Sequence, residues 1–481
     1  MATLLHLSPV LLVISMLMLL RRPPLQAALA GAALVALLWL SKAWTVAGAA
    51  PASAALAAAQ DTAVLFLSTG FVIVPGLGFV ILIERMGVNQ ALSQWVRALG
   101  LKPADQVVFI VLGLAPLLEA MTGFGVSLIA TVPLLLSLFE RRAALRMALA
   151  GMAIMPWGTL GLATVIGASL AHVDAADLAR VSSLTSAPVF LVLGALSLHL
   201  AGERGARAWL LLGSFGLLFV AALHGISRAL GPEVAGVGAG FSVVLGMLLR
   251  ALLIRGSARA APGWPRLGWP YLALAAAIVL LKLLALATQW DQHWIVQGAQ
   301  VAWKPLASPG LALMLVLGLL LTRGAGNGIA LAGTLTARAR RPLLTIFFFL
   351  AMSQMMAKAG FLDGLIPLLA AMAPSALAPI MAALGALAGY MTGSNVGGNA
   401  LFMPAIALLP EPSRLLLAAV HNSAAGHAAL GSLSIVMLVL GLARTNAQEE
   451  GELVRFGFAL ACLHAAAVAL AAMALASAEG P

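Results

Sequence analysis

Residues 389–404 read GYMTGSNVGGNALFMP, with four glycines, a threonine, a serine and two asparagines set in a chain that is otherwise lipid-soluble. In hydrocarbon an unpaired backbone amide costs several kcal/mol, so a stretch this rich in helix breakers is tolerated at membrane depth only where it is buried in protein or lines a wet cavity. Composition makes the membrane setting firm. Of 481 residues 62% are hydrophobic and 9% charged, with mean hydropathy +1.05, against roughly 45–50% apolar and ~25% charged in a soluble domain. The chain reads as an all-α polytopic membrane protein embedded in a lipid bilayer. Its net charge of +11 does not mark a nucleic-acid partner, because the basic residues sit in small groups between apolar segments. A single cysteine, Cys462, excludes an internal disulfide framework and a cysteine-based metal cluster. The apolar stretch 3–20 is followed by Arg21-Arg22 without a cleavage-site pattern and reads as a retained helix.

About 20 apolar residues cross the ~30 Å hydrocarbon core as a helix. Twelve spans meet that criterion: 2–20, 24–41, 63–83, 147–171, 186–202, 207–225, 234–254, 268–288, 308–322, 342–360, 414–443 and 454–476. Two stretches, 104–139 and 376–410, are too long for one span, and each is interrupted by glycine near its middle. They are expected to be re-entrant helical hairpins. With the N-terminus outside, the inner loops then hold 20 of the 27 Lys and Arg, and the outer loops hold only Lys42, Arg180, Arg228, Lys304, Lys358 and Arg414, with Lys282 inside a span. That asymmetry satisfies the positive-inside rule and predicts both termini on the outer side, periplasmic for a bacterial inner membrane.

The opening stretch has a counterpart. Met121-Thr122-Gly123-Phe124-Gly125-Val126 and Met391-Thr392-Gly393-Ser394-Asn395-Val396 share Met, Thr, Gly and Val, and each precedes an apolar segment with a proline, Pro133 or Pro404. Each motif follows a span that ends in a short amphipathic piece and precedes a span with a break, MPWGTLG at 155–161 and HNSAAGH at 421–427. Because the two hairpins would face opposite sides, the pattern predicts inverted-topology repeats, the architecture in which carriers build a midplane site from discontinuous helices. The division is 1–62 as N-terminal scaffold, 63–202 as the first repeat, 203–341 as connecting scaffold and 342–476 as the second repeat.

Converging helix N-termini at the tips would favour an anion. Thr122, Gly123, Phe124, Gly125, Thr392, Gly393, Ser394, Asn395, Asn399 and Asn422 supply backbone N–H groups and neutral side chains suited to a small organic acid bearing a carboxylate and a hydroxyl. Glu119, one turn before Gly123, and His421 and His427 are the intramembrane ionisable candidates for proton coupling. No cofactor or metal is expected. An enzyme is disfavoured, since neither a P-loop, a zinc-protease helix nor a nucleophile elbow occurs. A sensor or assembly scaffold is disfavoured by the short inner loops.

At these motifs the chain resembles the L-lactate permease family of bacterial hydroxy-monocarboxylate transporters. PLLEAMTGFG at 116–125 looks like that family's Leu-Glu-Gly followed by Gly-Phe-Gly, and TGSNVGGNALF at 392–402 looks like its second-hairpin motif. Weaker likeness runs through 162–174, 231–245 and 340–360. The resemblance implies symport of L-lactate, D-lactate or glycolate with H+, and carries Glu119, Gly123, Phe124, Gly125, Thr392, Gly393, Ser394, Asn399 and Ser434 over as site residues. The sequence departs from the family at Asn395, where the family has Asp, at Ser127, at Ala153-Ile154 and in HNSAAGHAALGSLSI at 421–435, which lacks the family's lysine. Loss of an acid and a base together keeps the region neutral and leaves Na+ coupling, or another organic anion, as the alternative. Dimerisation suits a carrier that slides as a unit.

Overall fold

A computed structural model describes residues 2–41, 52–123, 125–255, 266–326, 328–365, 367, 369, 371–411 and 413–478. Phe124, Lys42 and Arg259 lie outside the described residues. In chain order the helices are α1 (Ala2–Met18), α2 (Pro24–Ser41), α3 (Ala52–Arg85), α4 (Val88–Ala98), α5 (Pro103–Thr122), α6 (Ser127–Leu138), α7 (Arg141–Ala150), α8 (Gly158–Ala171) and α9 (Ala175–Leu200). There follow α10 (Ala206–Leu230), α11 (Pro232–Arg255), α12 (Trp269–Thr288) and α13 (Pro309–Thr322). The last group is α14 (Gly328–Lys358), α15 (Pro374–Thr392), α16 (Asn395–Ile406), α17 (Ser413–Ala429), α18 (Leu433–Ala443) and α19 (Ala447–Ala478). The one sheet among the described residues is a two-stranded antiparallel pair, Val296–Gln297 with Ala302–Trp303.

Among the described residues ten helices are long and apolar enough to cross a membrane, or eleven when α7 and α8, bent by 53° at their junction, count as one. The chain is thus an all-α multi-pass membrane protein. Eight of the twelve spans drawn from sequence have a counterpart among these ten, and 147–171 falls in the bent pair; 2–20 and 308–322 are the shorter helices α1 and α13, 342–360 is the second half of α14, and the other two of the ten are the first arms of the expected hairpins, Pro103–Thr122 and Ser375–Thr392. Helix α9 starts at Ala175, eleven residues before its expected span at 186, because Asp174 caps it, its carboxylate accepting from the N–H groups of Ala176 (2.8 Å) and Asp177 (3.0 Å). Helix α14 runs straight through Arg338, Arg340 and Arg341, since long cationic side chains reach outward without ending a helix.

A larger correction concerns HNSAAGH at 421–427, expected to break its span. These residues lie inside the continuous helix α17, and the break falls at Leu430, Gly431 and Ser432. The side chains of His421, Asn422 and Ser423 find tertiary partners and need no free backbone of their own helix. Gly431 supplies the close approach instead, for a Cβ there would lie 1.9 Å from the carbonyl oxygen of Gly457 on α19.

The two Gly motifs end helices as their chemistry demands. Helix α5 stops at Gly123 (φ 68°) and α15 at Gly393 (φ 63°), both in the left-handed half of φ space. Each leads into a 12-residue arm, α6 or α16, about 18 Å long and too short to cross alone. Helix α5 contains a π-helical segment, Phe109–Leu114, and is almost wholly buried. Gly236 and Gly240 of α11 admit it closely, since a Cβ on Gly240 would sit 2.7 Å from the Leu117 backbone nitrogen. Packing between the two groups is reciprocal: α16 lies on α8 and α6 on α18, while α9 lies on α17 and α19 on α7. Helices α3 and α14 run antiparallel, pinned by Glu84–Arg338 (3.0 Å) at one end and Asp61–Lys358 (2.8 Å) at the other.

Candidate functional site

The tip of the second Gly motif and Glu119, one turn before the glycine of the first, face one cavity of about 270 Å³, although they stand far apart in sequence. Glu119, Gly158, Thr159, Gly393, Ser394, Asn395 and Ser434 line it with apolar residues of α8 and α18. Glu119 is its sole ionisable side chain among the described residues.

Three helix N-termini border this space. Helix α16 begins with Ser394 as cap, its hydroxyl accepting from Gly397 N (3.4 Å), and α18 begins with Ser432, accepting from Ile435 N (3.4 Å). The first-turn N–H groups of Asn395 and Val396 have no partner within their own helix. The third start, in α8, follows a run of left-handed residues, Thr159 (φ 51°), Leu160 (φ 57°) and Gly161 (φ 72°). Non-glycine residues rarely hold that conformation. Here it lets the chain turn sharply between Gly123 and Pro232: a Cβ added to Gly123 would meet the Thr159 side chain, and one added to Gly161 would meet Pro232, at under 3 Å.

The two tips are not equivalent in charge. At the first, the fully buried Glu119 accepts from Gly125 N (3.1 Å) and from Ser127 Oγ (2.7 Å), so a protein carboxylate already serves the N-terminus of α6. At the second, the position one turn before the glycine is Gly389, which packs against the Ala425 carbonyl with no room for a side chain. The N-terminus of α16 therefore has no acid of its own beside it.

Behind the second tip lies a neutral network. Asn422 uses its whole hydrogen-bonding capacity: its Oδ1 accepts from Asn395 Nδ2 (3.1 Å) and Asn399 Nδ2 (3.0 Å), and its Nδ2 donates to Thr164 Oγ1 (3.0 Å) and Ser182 Oγ (3.1 Å). Asn399 Nδ2 also donates to the Ala163 carbonyl (2.9 Å) and Thr164 Oγ1 to the Pro156 carbonyl (2.7 Å). Ser423 extends the network to Thr185 (2.7 Å) and Ser186 (3.0 Å). Asn395 Oδ1 and Asn399 Oδ1 are buried and accept from no donor among the described residues.

Of the residues singled out from sequence, Glu119, Gly393, Ser394, Asn395 and Ser434 line the cavity. Gly123 and Gly125 shape the first tip. Thr122 and Thr392 turn inward, their hydroxyls donating to the carbonyls of Leu118 (2.6 Å) and Ala388 (2.8 Å). Asn399 and Asn422 support the tip from behind. The histidines fall elsewhere: His421 Nε2 lies 3.1 Å from the Gly398 carbonyl, and His427 is boxed between Phe190 and His464 with no hydrogen bond from its ring among the described residues. Thr159, Thr164, Ser182 and Ser423 were not expected at the site. The polar run Ser182-Ser183-Leu184-Thr185-Ser186 was a signal for part of this, hidden by its assignment to an outer loop.

A second cavity, of about 370 Å³, lies against Ser68, Leu160, Ser169, Trp303 and Lys304. It shares one wall residue with the first, Leu162.

Broken helices, a buried acid and a neutral amide network around a shared cavity define a multi-pass helical membrane protein with a polar site inside its bundle. No family model and no curated protein matches the chain.

Proposed function

We propose that the protein is a secondary active transporter of the inner membrane, symporting a small 2-hydroxy monocarboxylate such as L-lactate, D-lactate or glycolate with protons, in keeping with its resemblance to the L-lactate permease family. One observation carries this reading: two discontinuous helices from distant parts of the chain end on a single small cavity that holds one buried carboxyl and an uncompensated helix N-terminus. The substrate carboxylate is held by the N–H groups at the start of α16, and its hydroxyl donates to Asn395 Oδ1, which lacks a donor. Glu119 carries the proton.

The inverted-repeat reading, with repeats at 63–202 and 342–476, draws support from the reciprocal packing and the antiparallel α3–α14 pair. The division of the loops between two opposite sides is supported by the ion pairs, while the assignment of the termini to the outer side rests on the distribution of Lys and Arg. Arg141–Glu449, Arg142–Glu452, Asp105 with Arg207 and Arg250, and Arg338–Glu84 each join residues assigned to the inner side. Asp61–Lys358, Asp291–Lys304, Asp177–Arg180 and Glu411–Arg414 each join residues assigned to the outer side.

Uptake of labelled L-lactate into proteoliposomes, driven by a pH gradient and challenged with unlabelled glycolate, pyruvate and dicarboxylates, tests the proposal. Uptake is expected to be saturable, driven by the pH gradient and blocked by 2-hydroxy monocarboxylates. The Glu119→Gln variant is expected to keep counterflow exchange, because glutamine retains an acceptor for Gly125 N, but to lose accumulation driven by the gradient. Accumulation at the wild-type ratio would remove Glu119 from the coupling step. Two buried amide oxygens without donors, on Asn395 and Asn399, favour a second reading with Na+ as the coupling ion. Uptake that follows an imposed sodium gradient would select it.

A further inference from the structure

Away from the central site, the starts of α5 and α10 and the end of α11 enclose a cavity of about 440 Å³. Lys102, Asp105, Arg207 and Arg250 line it over a floor that includes Leu101 and Met247. Asp105, with a side chain only 6% exposed, is fully engaged: Arg207 Nη2 donates to Oδ2 (2.7 Å) and Arg250 Nη1 to Oδ1 (2.6 Å). Lys102 meets no acid among the described residues, so three cations face one carboxylate and the pocket keeps a surplus of positive charge.

What surrounds the pocket is apolar and uncovered. Trp209 and Leu210 on α10 and Leu249, Leu252 and Leu253 on α11 are 47–84% exposed. A tryptophan two residues from Arg207, at a helix start, is the usual anchor at headgroup depth. A cationic cavity at that depth, formed by helices that also carry exposed leucines, matches a ligand carrying a phosphate at one end and acyl chains at the other. We propose that this pocket binds the headgroup of an anionic phospholipid, its phosphate on Lys102, Arg207 and Arg250 and its acyl chains along α10 and α11. The inference rests on membrane insertion and not on transport, so loss of the transport reading leaves it standing.

The test uses the purified full chain in neutral detergent, with lipid retention read by native mass spectrometry and stabilisation read by melting temperature. Phosphatidylglycerol is expected to be retained and to raise the melting temperature, whereas phosphatidylcholine, phosphatidylethanolamine and glycerol 3-phosphate are not. Lys102→Gln is expected to weaken phosphatidylglycerol binding about five-fold, the share of one cation near a charged headgroup, and Lys102→Glu to weaken it further. Neither exchange should shift the melting temperature without lipid, because the Lys102 side chain holds no partner among the described residues. Equal effects of the zwitterionic lipids, no retention of any lipid, or unchanged retention in both variants would each overturn the site. Stabilisation by glycerol 3-phosphate to the same extent would overturn the lipid and leave a soluble phosphate as the ligand.

Discussion

Adding one methyl group distinguishes the two tip glycines. On Gly123 the new Cβ would fall 1.7 Å from Thr159 Oγ1 and 3.0 Å from the Thr159 backbone nitrogen, in a conformation already left-handed. On Gly393 it would fall 2.8 Å from Ser434 Oγ, an exposed hydroxyl that can rotate away, and 3.0 Å from Ser434 Cβ, which has to give by a few tenths of an ångström. Gly393→Ala is therefore expected to cost the left-handed penalty, on the order of 1 kcal/mol, and a small adjustment of Ser434, while filling the space in front of α16 and cutting uptake. Gly123→Ala is expected to lower the melting temperature much further. Thr159 is itself left-handed, so Gly123→Ala with Thr159→Gly removes the overlap and a strained residue together. Thermal melts of the single and double variants check this, and a double variant no more stable than Gly123→Ala would contradict the geometry. The glycines were legible because the motif occurs twice. Thr159 and Leu160 were not, since nothing in a threonine followed by a leucine announces φ near 50°; only Gly161 hinted at a turn.

At the scale of helices, sequence located the elements well and their ends less well. Apolar runs mark what can be buried, but caps and packing decide where a helix begins, as Asp174 and the long α14 illustrate. The histidines show the same limit. HNSAAGH looked like a break because polar residues in an apolar span usually need free backbone or water. Asn422 instead satisfies its side chain on three neighbouring helices, α8, α9 and α16, and α17 stays intact. Asn422→Ala is expected to destabilise by about 2–4 kcal/mol, combining a cavity with the orphaned Asn395 amide, measured as a lower melting temperature in detergent. His427 calls for the opposite expectation. Its ring touches aromatic neighbours and makes no hydrogen bond among the described residues, so His427→Phe is expected to preserve both fold and uptake. Loss of gradient-driven uptake in that variant would return His427 to a coupling role.

Across the whole molecule, the two long helices α3 and α14 are fastened at both ends, but the fastenings differ in depth. Asp61 is fully buried, and its other oxygen accepts from the N–H groups of Gln300 (2.9 Å) and Val301 (3.3 Å), tying in the loop that carries the short strand pair. Breaking a buried pair from one side leaves a bare charge and costs about 3–5 kcal/mol, so Lys358→Met is expected to be severe and Asp61→Asn with Lys358→Met much milder. Glu84–Arg338 is more exposed, with Arg338 45% accessible, and its removal is expected to cost about 0–1 kcal/mol. A double-mutant cycle at each end, read by melting temperature, checks the contrast. Neither pairing could be read from sequence, because the partners lie hundreds of residues apart and only the antiparallel packing brings them together.

Leu162 lines both the central cavity and its neighbour. At that point one aliphatic side chain belongs to the walls of two compartments at once. A membrane that stores energy as a gradient loses it through any thin place, so the size of this leucine matters more than its hydrophobicity. Leu162→Ala is expected to leave the binding cavity formed while letting reconstituted vesicles discharge an imposed pH gradient faster than wild type, a short circuit visible with a pH-sensitive dye and no substrate at all.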